Sequence, residues 1–390
     1  MYKFKDIIEE VKDFNSDLKY GLDDIVGVTI EKGLIPTIAN LTQTALDKFY
    51  IIKPETFVYN PRTHGVRLGM GYNDTCNTYI TSWNNVAFKV KKTAQNIVIP
   101  QYLWLYFCRP VWDRMTNFLA WGSSTIVFAW KDFLNIDIHL PSIEKQREIV
   151  SEYETLTRRI RLNEQMIEKL EATAQALYRH TFVDNIDKQN LPQGWRLGTI
   201  GDFCKEMKSG GTPNRNHNEF WNKKDYPWLK TGEVQNNVIF DTEEYISQTG
   251  LDNSSAKLIP RGSVIMAMYG ATAAQVAYLE CDTTTNQACC NMICRSKKDS
   301  AFLFFHLLSN QEDIKKLANG GAQENLSQEL IAQQPIILFN NDEKKQMFVP
   351  ILDNLIVKYK ENIKLTELQS LLLAKMGKEK ERKENDRKFE

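Results

Sequence analysis

The sequence contains no run approaching the roughly 18 apolar residues that a membrane span requires. Its first ten residues are charged and lack the apolar core of a secretory signal. These absences lead us to expect a cytoplasmic protein with no membrane association. An excess of either charge is also missing, with 49 basic against 49 acidic side chains. Free-standing nucleic-acid binders are usually basic, so this balance argues against one. Nor does it conceal opposite halves. Residues 1–141 carry 15 basic and 14 acidic groups, 142–190 carry 8 and 9, 191–340 carry 14 and 16, and 341–390 carry 12 and 10. Seven cysteines, an odd number in a chain in which no export signal is read, argue against a disulfide framework. Four of them cluster as Cys281, Cys289, Cys290 and Cys294, without the C-x2-C knuckle that places two thiolates on one zinc. They read as small buried thiols, and no metal site is expected. Phosphate-loop, zinc-helix and nucleophile-elbow strings are absent, and His64, His139, His180, His217 and His306 are scattered.

What is present is an ordinary globular composition, 42% apolar and 25% charged, with length for two or three domains. It also contains an internal repeat. Ala120-Trp121-Gly122-Ser123, Phe128 and Ile138-His139-Leu140 align with Ala318-Asn319-Gly320-Gly321, Leu326 and Ile336-Ile337-Leu338 at a constant offset of 198. Tyr102-Leu103-Trp104-Leu105 resembles Phe302-Leu303-Phe304-Phe305 at an offset of 200, and Glu144-Lys145 resembles Glu343-Lys344 at 199. A period near half the chain is too long for a solenoid and indicates a duplicated module.

Each copy ends in a helix. Ile149, Tyr153, Leu156, Ile160, Asn163, Ile167, Leu170, Ala174 and Leu177 alternate steps of four and three, the spacing of a coiled-coil seam. At about 1.5 Å per residue this is a rod of roughly 43 Å. The second seam runs Phe348, Leu352, Leu355, Tyr359, Asn362, Thr366, Gln369, Leu373 and Met376. It is weaker, and a slip onto Leu365, Leu368 and Leu372 would restore it. Pro350 is tolerable only in the first turn. Both seams place Asn at the fifth of nine positions, so an antiparallel pair would bring Asn163 and Asn362 together as a register device. The alternative is that either amide faces solvent.

The segments before the helices are mixed. Phe57–Tyr59, Val86–Val90, Ser263–Met268 and Gln275–Leu279 read as strands, and Tyr102–Phe118 and Ser300–Ala318 as helices. Between them lie polar loops mixed with aromatics. Ser209, Gly211, Thr212 and Arg215 combine backbone N–H groups, hydroxyls and a guanidinium suited to phosphates or a guanine edge. Lys223 and Lys230 follow. Tyr269 and Thr272 lie at a strand end, and Asn286 and Gln287 supply amides of the kind that pair with adenine. Tyr59, Asn60 and Arg62, and Trp121, Ser123 and Ser124, are similar mixtures in the first half. Any one of these could be an ordinary polar turn, but their recurrence in both halves points to nucleic acid.

In order, the second half reads Leu191-Pro192-Gln193-Gly194-Trp195, Gly211-Thr212-Pro213, Trp228-Leu229-Lys230-Thr231-Gly232-Glu233, Ile259-Pro260-Arg261-Gly262-Ser263, Tyr269-Gly270-Ala271-Thr272, Asn286-Gln287-Ala288 and Gly320-Gly321-Ala322-Gln323. This series resembles a target recognition domain of the specificity subunit of type I restriction–modification systems. The first half resembles a more divergent copy through Phe57–Arg62, Pro100–Leu103, Gly122-Ser123 and Ile138–Pro141, but lacks the Leu-Pro-x-Gly-Trp opening. Its first 35 residues match nothing in the pattern. The resemblance adds Gln323 to the DNA-contact candidates.

The resemblance implies an α+β architecture, with two recognition domains at 1–141 and 191–340. Antiparallel spacer helices would occupy 142–190 and 341–378, with a charged tail at 379–390. It further implies a non-catalytic subunit that reads a bipartite, gapped sequence in double-stranded DNA. Two modification subunits would methylate adenine, and restriction (translocase-nuclease) subunits would cut. The chain itself would hold no cofactor; S-adenosylmethionine, ATP and Mg would reside on the partners. A coiled-coil scaffold, an enzyme using the cysteine cluster and a recognition subunit serving a fused methylase–nuclease remain alternatives. Charge neutrality then predicts weak DNA binding by the isolated chain and tight binding by the assembly.

Overall fold

The computed structural model describes the chain except for residues 38–43, 64–66, 122–125, 185, 188, 319–324, 341 and 387–390, and describes 377–386 by backbone alone. By its contacts the chain forms two units, Met1–Arg158 with Leu365–Glu390, and Arg159–Lys364.

The first unit is organised around a four-stranded antiparallel sheet. Its strands are β1 (Ile8–Glu10), β2 (Phe57–Tyr59), β3 (Met70–Tyr72) and β4 (Val86–Val90), in spatial order β1-β4-β2-β3. Phe57 and Phe88 stack across neighbouring strands with centroids 5.0 Å apart, and Phe107, Trp112 and Phe133 close over them. Each such ring, fully withdrawn from water, contributes about 1.5–3 kcal/mol of transfer free energy. The opening residues belong to this core. Tyr2 pairs with Ile138, and Phe4 lies fully buried with its ring centroid 4.9 Å from that of Phe133.

The long helix α1 spans Ile143–Phe182. All nine residues of its expected seam are buried or half-buried, and charged residues between them are mostly exposed. Residues 143–158 lie in the first unit, where Ile149, Val150 and Tyr153 pack in one cluster with Leu373 and Met376.

The second unit contains β5 (Glu206–Ser209), β6 (Asn237–Ile239), β7 (Val264–Ala267), β8 (Val276–Leu279) and β9 (Cys289–Ile293), in spatial order β5-β9-β7-β8-β6. The first four positions repeat the antiparallel order of the other unit, and β6 adds a parallel edge. Every residue of β7, β8 and β9 is buried, which is why β7 and β8 read as unbroken apolar runs rather than alternations, while β9 buries Asn291 through bonds to Lys208 O and Thr285 Oγ1. Cys289 and Cys290 are inside β9, and burial pushes the Cys290 thiol up to about 12. The opening and closing segments, Trp195–Thr199 and Pro335–Phe339, pair antiparallel, as Tyr2–Lys3 and Asp137–Ile138 do in the first unit.

Helix α2 spans Val349–Asp386 and places Pro350 in its first turn, where no intrahelical N–H is lost. The expected slip in its seam is local. Leu365 turns inward and Thr366 outward, but Leu368 is 49% exposed and Gln369 keeps its place, donating to Thr157 Oγ1 at 2.7 Å. The two expected helical runs are each broken. Pro110 forces Arg109 into extended backbone, splitting Pro100–Phe107 from Pro110–Leu119. Asn310 likewise separates Lys297–Ser309 from Gln311–Ala318. No helix among the described residues is long and apolar enough to cross a membrane.

Candidate nucleic-acid interface

The antiparallel register of the second unit sets its candidate site. Ser209 lies opposite Cys290, and Ala267 opposite Cys289. The loops leaving β5 and β7 and the loop entering β9 therefore emerge at one edge of the sheet. Cross-bonds tie them together. Gly211 N–H donates to Thr285 O at 2.8 Å, and Thr212 Oγ1 to Gln287 Oε1 at 2.5 Å. Asn286 N–H donates to Leu229 O at 2.9 Å, and Thr272 Oγ1 to Thr231 O at 2.9 Å. Ser209 Oγ donates to Gln328 Oε1 at 2.7 Å. Residues separated by up to 119 positions thus form one polar rim, with Thr212 and Gln287 exposed and Tyr269 40% exposed. The approach is close enough to demand glycine. A Cβ on Gly210 would stand 2.2 Å from the carbonyl oxygens of Thr285 and Asn286.

Gly211 does not fit its expected role. It is buried and its N–H, the one backbone group that could donate to a phosphate, is taken by Thr285, while its carbonyl accepts Trp228 Nε1–H at 3.0 Å.

Arg215 lies beside this rim. Its guanidinium stacks 3.7 Å from the Trp221 ring centroid and 4.8 Å from that of Trp228, and it pairs with Glu244. Lys230 Nζ bonds Glu243 at 2.8 Å and Glu244 at 3.1 Å. The bond from Arg215, with help from Lys230, holds the Glu244 carboxyl below its usual range; Glu243 and Glu244 hold the Lys230 ammonium above its own. Lys223 is exposed nearby in sequence, and Lys224 lies 4.9 Å over the Tyr245 ring. Trp221, Glu243 and Glu244 were not among the expected residues. Glu244 meets Arg215 across 29 positions of sequence, a separation that carries no local signal.

The first unit brings two of its polar segments together on a small ladder. Ile126 pairs with Thr63, Val127 with Arg62, and Trp121 bridges Val127 from the other side. Directly opposed residues share a face, so Arg62 and Trp121 flank Val127. Trp121 is 74% exposed, Arg62 is exposed, and Phe118 just before it in the chain is 88% exposed. Asn60 Oδ1 accepts the Arg62 N–H at 3.0 Å and shapes this turn. Tyr59 was expected to contact DNA, but it is fully buried in β2, with its hydroxyl donating inward to Phe128 O at 3.4 Å. Inward alternation along the strand puts its ring in the core. Ser123, Ser124 and Gln323 lie outside the described residues.

On the helices of the second unit, Asn163 is 2% exposed and its Nδ2 donates to Asn362 Oδ1 at 2.9 Å. Arg159 bonds Glu361 at 2.6 Å, and with Lys358 and Asn163 it brings the Glu361 carboxyl down to about 2. Among the described residues, no group of three or more His, Cys, Asp and Glu side chains could hold a metal ion.

A repeated antiparallel strand order with polar and aromatic rims, each copy followed by a long seam-bearing helix, defines a duplicated DNA-specificity fold. The chain belongs to the type I restriction–modification family. The model for the type I restriction modification DNA specificity domain matches residues 9–172 and again residues 192–372. The chain is 24% identical to the type I restriction enzyme HindI specificity subunit of Haemophilus influenzae, over 74% of this chain and 79% of that protein. It is 27% identical to the EcoR124I/EcoR124II specificity subunit of Escherichia coli, over 41% of this chain and 40% of that protein. Its fold is similar to the crystal structure of a type I restriction–modification S subunit from M. genitalium, with a TM-score of 0.57 at 14% identity, covering 95% of this chain and 94% of that one. Its role is DNA sequence recognition.

Proposed function

We propose that the chain reads a gapped, two-part target in double-stranded DNA, one part by each recognition domain, and performs no chemistry itself. Two modification subunits carrying S-adenosylmethionine would methylate adenine within the target. Restriction subunits using ATP and Mg would translocate and cut unmethylated DNA in the cytoplasm. The recognition domains would correspond to 1–141 and 191–340, with the helical segments 142–190 and 341–378 setting the gap. The observation that carries this reading is the recurrence of one strand order in both units, each bearing an exposed arginine in a polar region that also carries tryptophan. Two copies of one reader suit two half-sites, as the two protomers of a dimeric reader do.

The test is genome-wide mapping of methylated adenine with and without the gene. Loss of one gapped, two-part motif on deletion is expected. Retention of every methylated motif would overturn the proposal.

A further inference from the structure

The two cations at the rim of the second unit are not free charges. Arg215 and Lys230 share Glu244, and Lys230 also bonds Glu243, so two positive and two negative groups form one neutral cluster. Glu244 is fixed from its backbone. Its strand, Glu244–Ile246, pairs with Tyr226–Leu229, Trp228 is its direct partner, and its carbonyl accepts Thr242 Oγ1 at 2.6 Å. Arg215 is fixed from above by the rings of Trp221 and Trp228. The cluster is nonetheless in reach of solvent, with the Arg215 side chain 49% exposed and that of Glu244 31% exposed.

This arrangement treats phosphates and base edges differently. A phosphate approaching Arg215 or Lys230 meets a cluster whose carboxylates already offset both positive charges, so it gains little electrostatically. A base edge can use the remaining guanidinium N–H groups while Glu244 stays in place, because the guanidinium has five donors.

Resting on the DNA-reading role above, we propose that Glu244 is a specificity-determining residue: it occupies Arg215 and Lys230 against backbone phosphates, suppressing binding to generic duplex while leaving the stacked guanidinium for a base edge. Glu243 does the same for Lys230 alone.

Counterion release makes this measurable. Each phosphate newly neutralised steepens the dependence of log K on log salt by about 0.9. Full-length chains are titrated against a labelled mixed-sequence duplex between about 50 and 200 mM salt. In E244Q the amide keeps size and an acceptor but loses the charge, so Arg215 is released while Lys230 stays paired with Glu243. Its slope steepens by about 0.9, and its advantage over wild type grows roughly threefold from the high-salt to the low-salt end. E243Q leaves Lys230 sharing Glu244 with Arg215 and shows a smaller steepening, still above that of the E312Q control. E312Q, at an exposed Glu in the helix Gln311–Ala318, matches the charge change without touching the cluster and keeps the wild-type slope.

Equal slopes in E244Q and wild type, or equal steepening in E244Q and E312Q, would overturn the proposal. Should E244Q not fold, E243Q against E312Q decides it by the same criterion. Deletion mapping separates the two levels. If the gapped motif disappears on deletion but E244Q has the wild-type slope, DNA reading stands and the role of Glu244 falls. If no motif disappears, the DNA-reading proposal itself falls.

Discussion

Replacing the Asn163–Asn362 pair tests whether a buried polar contact fixes the register of the helices. Asn163 is withdrawn from water, donates to Asn362 Oδ1 at 2.9 Å and also bonds the carboxylate of Glu361. Truncation to Ala removes those bonds and leaves a small void between well-packed neighbours. The expected cost is about 1–3 kcal/mol. Leucine at both positions behaves differently. The polar desolvation disappears from both partners, apolar contact replaces it, and the net change lies between neutral and about 1 kcal/mol stabilising. The non-additivity between N163L, N362L and the double variant should therefore be about 0.5–3 kcal/mol. Amide hydrogen exchange along α1 and α2 is the suitable assay, because it reports opening of the helices themselves rather than of the whole chain. Additivity within about 0.5 kcal/mol would show that the two amides are not energetically coupled. The double leucine variant should also lose uniqueness of register and methylate motifs with more than one gap. A single unchanged gap would refute the assignment of register to this pair, whatever its stability.

Three further expectations use other features. Matched insertions of four residues between Arg158 and Arg159 and between Lys364 and Leu365 add about 6 Å of helix; adenine mapping should show both half-sites kept and the gap longer by about two base pairs, and an unchanged motif would eliminate the ruler. Y59F removes only an inward hydroxyl and should leave the methylated motif intact at a cost of at most about 1 kcal/mol, whereas W121A should degrade recognition of one half-site; the reverse pattern would refute the assignment of the surface of the first unit. His306 is buried, bonds the Tyr178 hydroxyl at 2.6 Å, and burial lowers its imidazole to about 4. Its unfolded form takes up a proton near pH 6.5 while the folded form does not, so stability is complete above that pH and falls by about 3 kcal/mol as pH drops toward 4. In H306Q this part of the pH dependence between 7 and 4 should vanish, as read from denaturation midpoints.

The helices and the duplication were legible because their signals are local or periodic. A seam recurring every three to four residues survives in any context, and all nine of its positions on α1 turn inward. The loops of the second unit were legible as chemistry, but their convergence depends on pairing between Ser209 and Cys290 and between Ala267 and Cys289, which no local pattern encodes. The same limit explains the errors. Tyr59 has the polar tip and neighbours of a contact residue, and only its position in β2 between β4 and β3 commits it to the core. Gly211 suits a phosphate loop until Thr285 takes its N–H. The opening of the first unit matches nothing in the sequence pattern, because a two-residue strand and a four-residue helix carry too little sequence to show one, although Phe4 anchors the core.

The even charge balance has a local counterpart. A reader that neutralised many phosphates would bind every sequence, and the half-sites would have to compete against that background. At the rim of the second unit each cation expected to contact DNA, apart from the exposed Lys223, already has a carboxylate partner. For Arg215 and Lys230, neutrality is therefore maintained at the scale of single side chains and not merely averaged over the chain. Such a surface gains little from phosphates and depends on matching a base edge, so its discrimination is high relative to its affinity. Holding the DNA would then fall to partner subunits. Weak binding by the isolated chain and tight, specific binding with modification subunits present should appear together, and tight specific binding by the chain alone would show that the paired carboxylates do not restrain it.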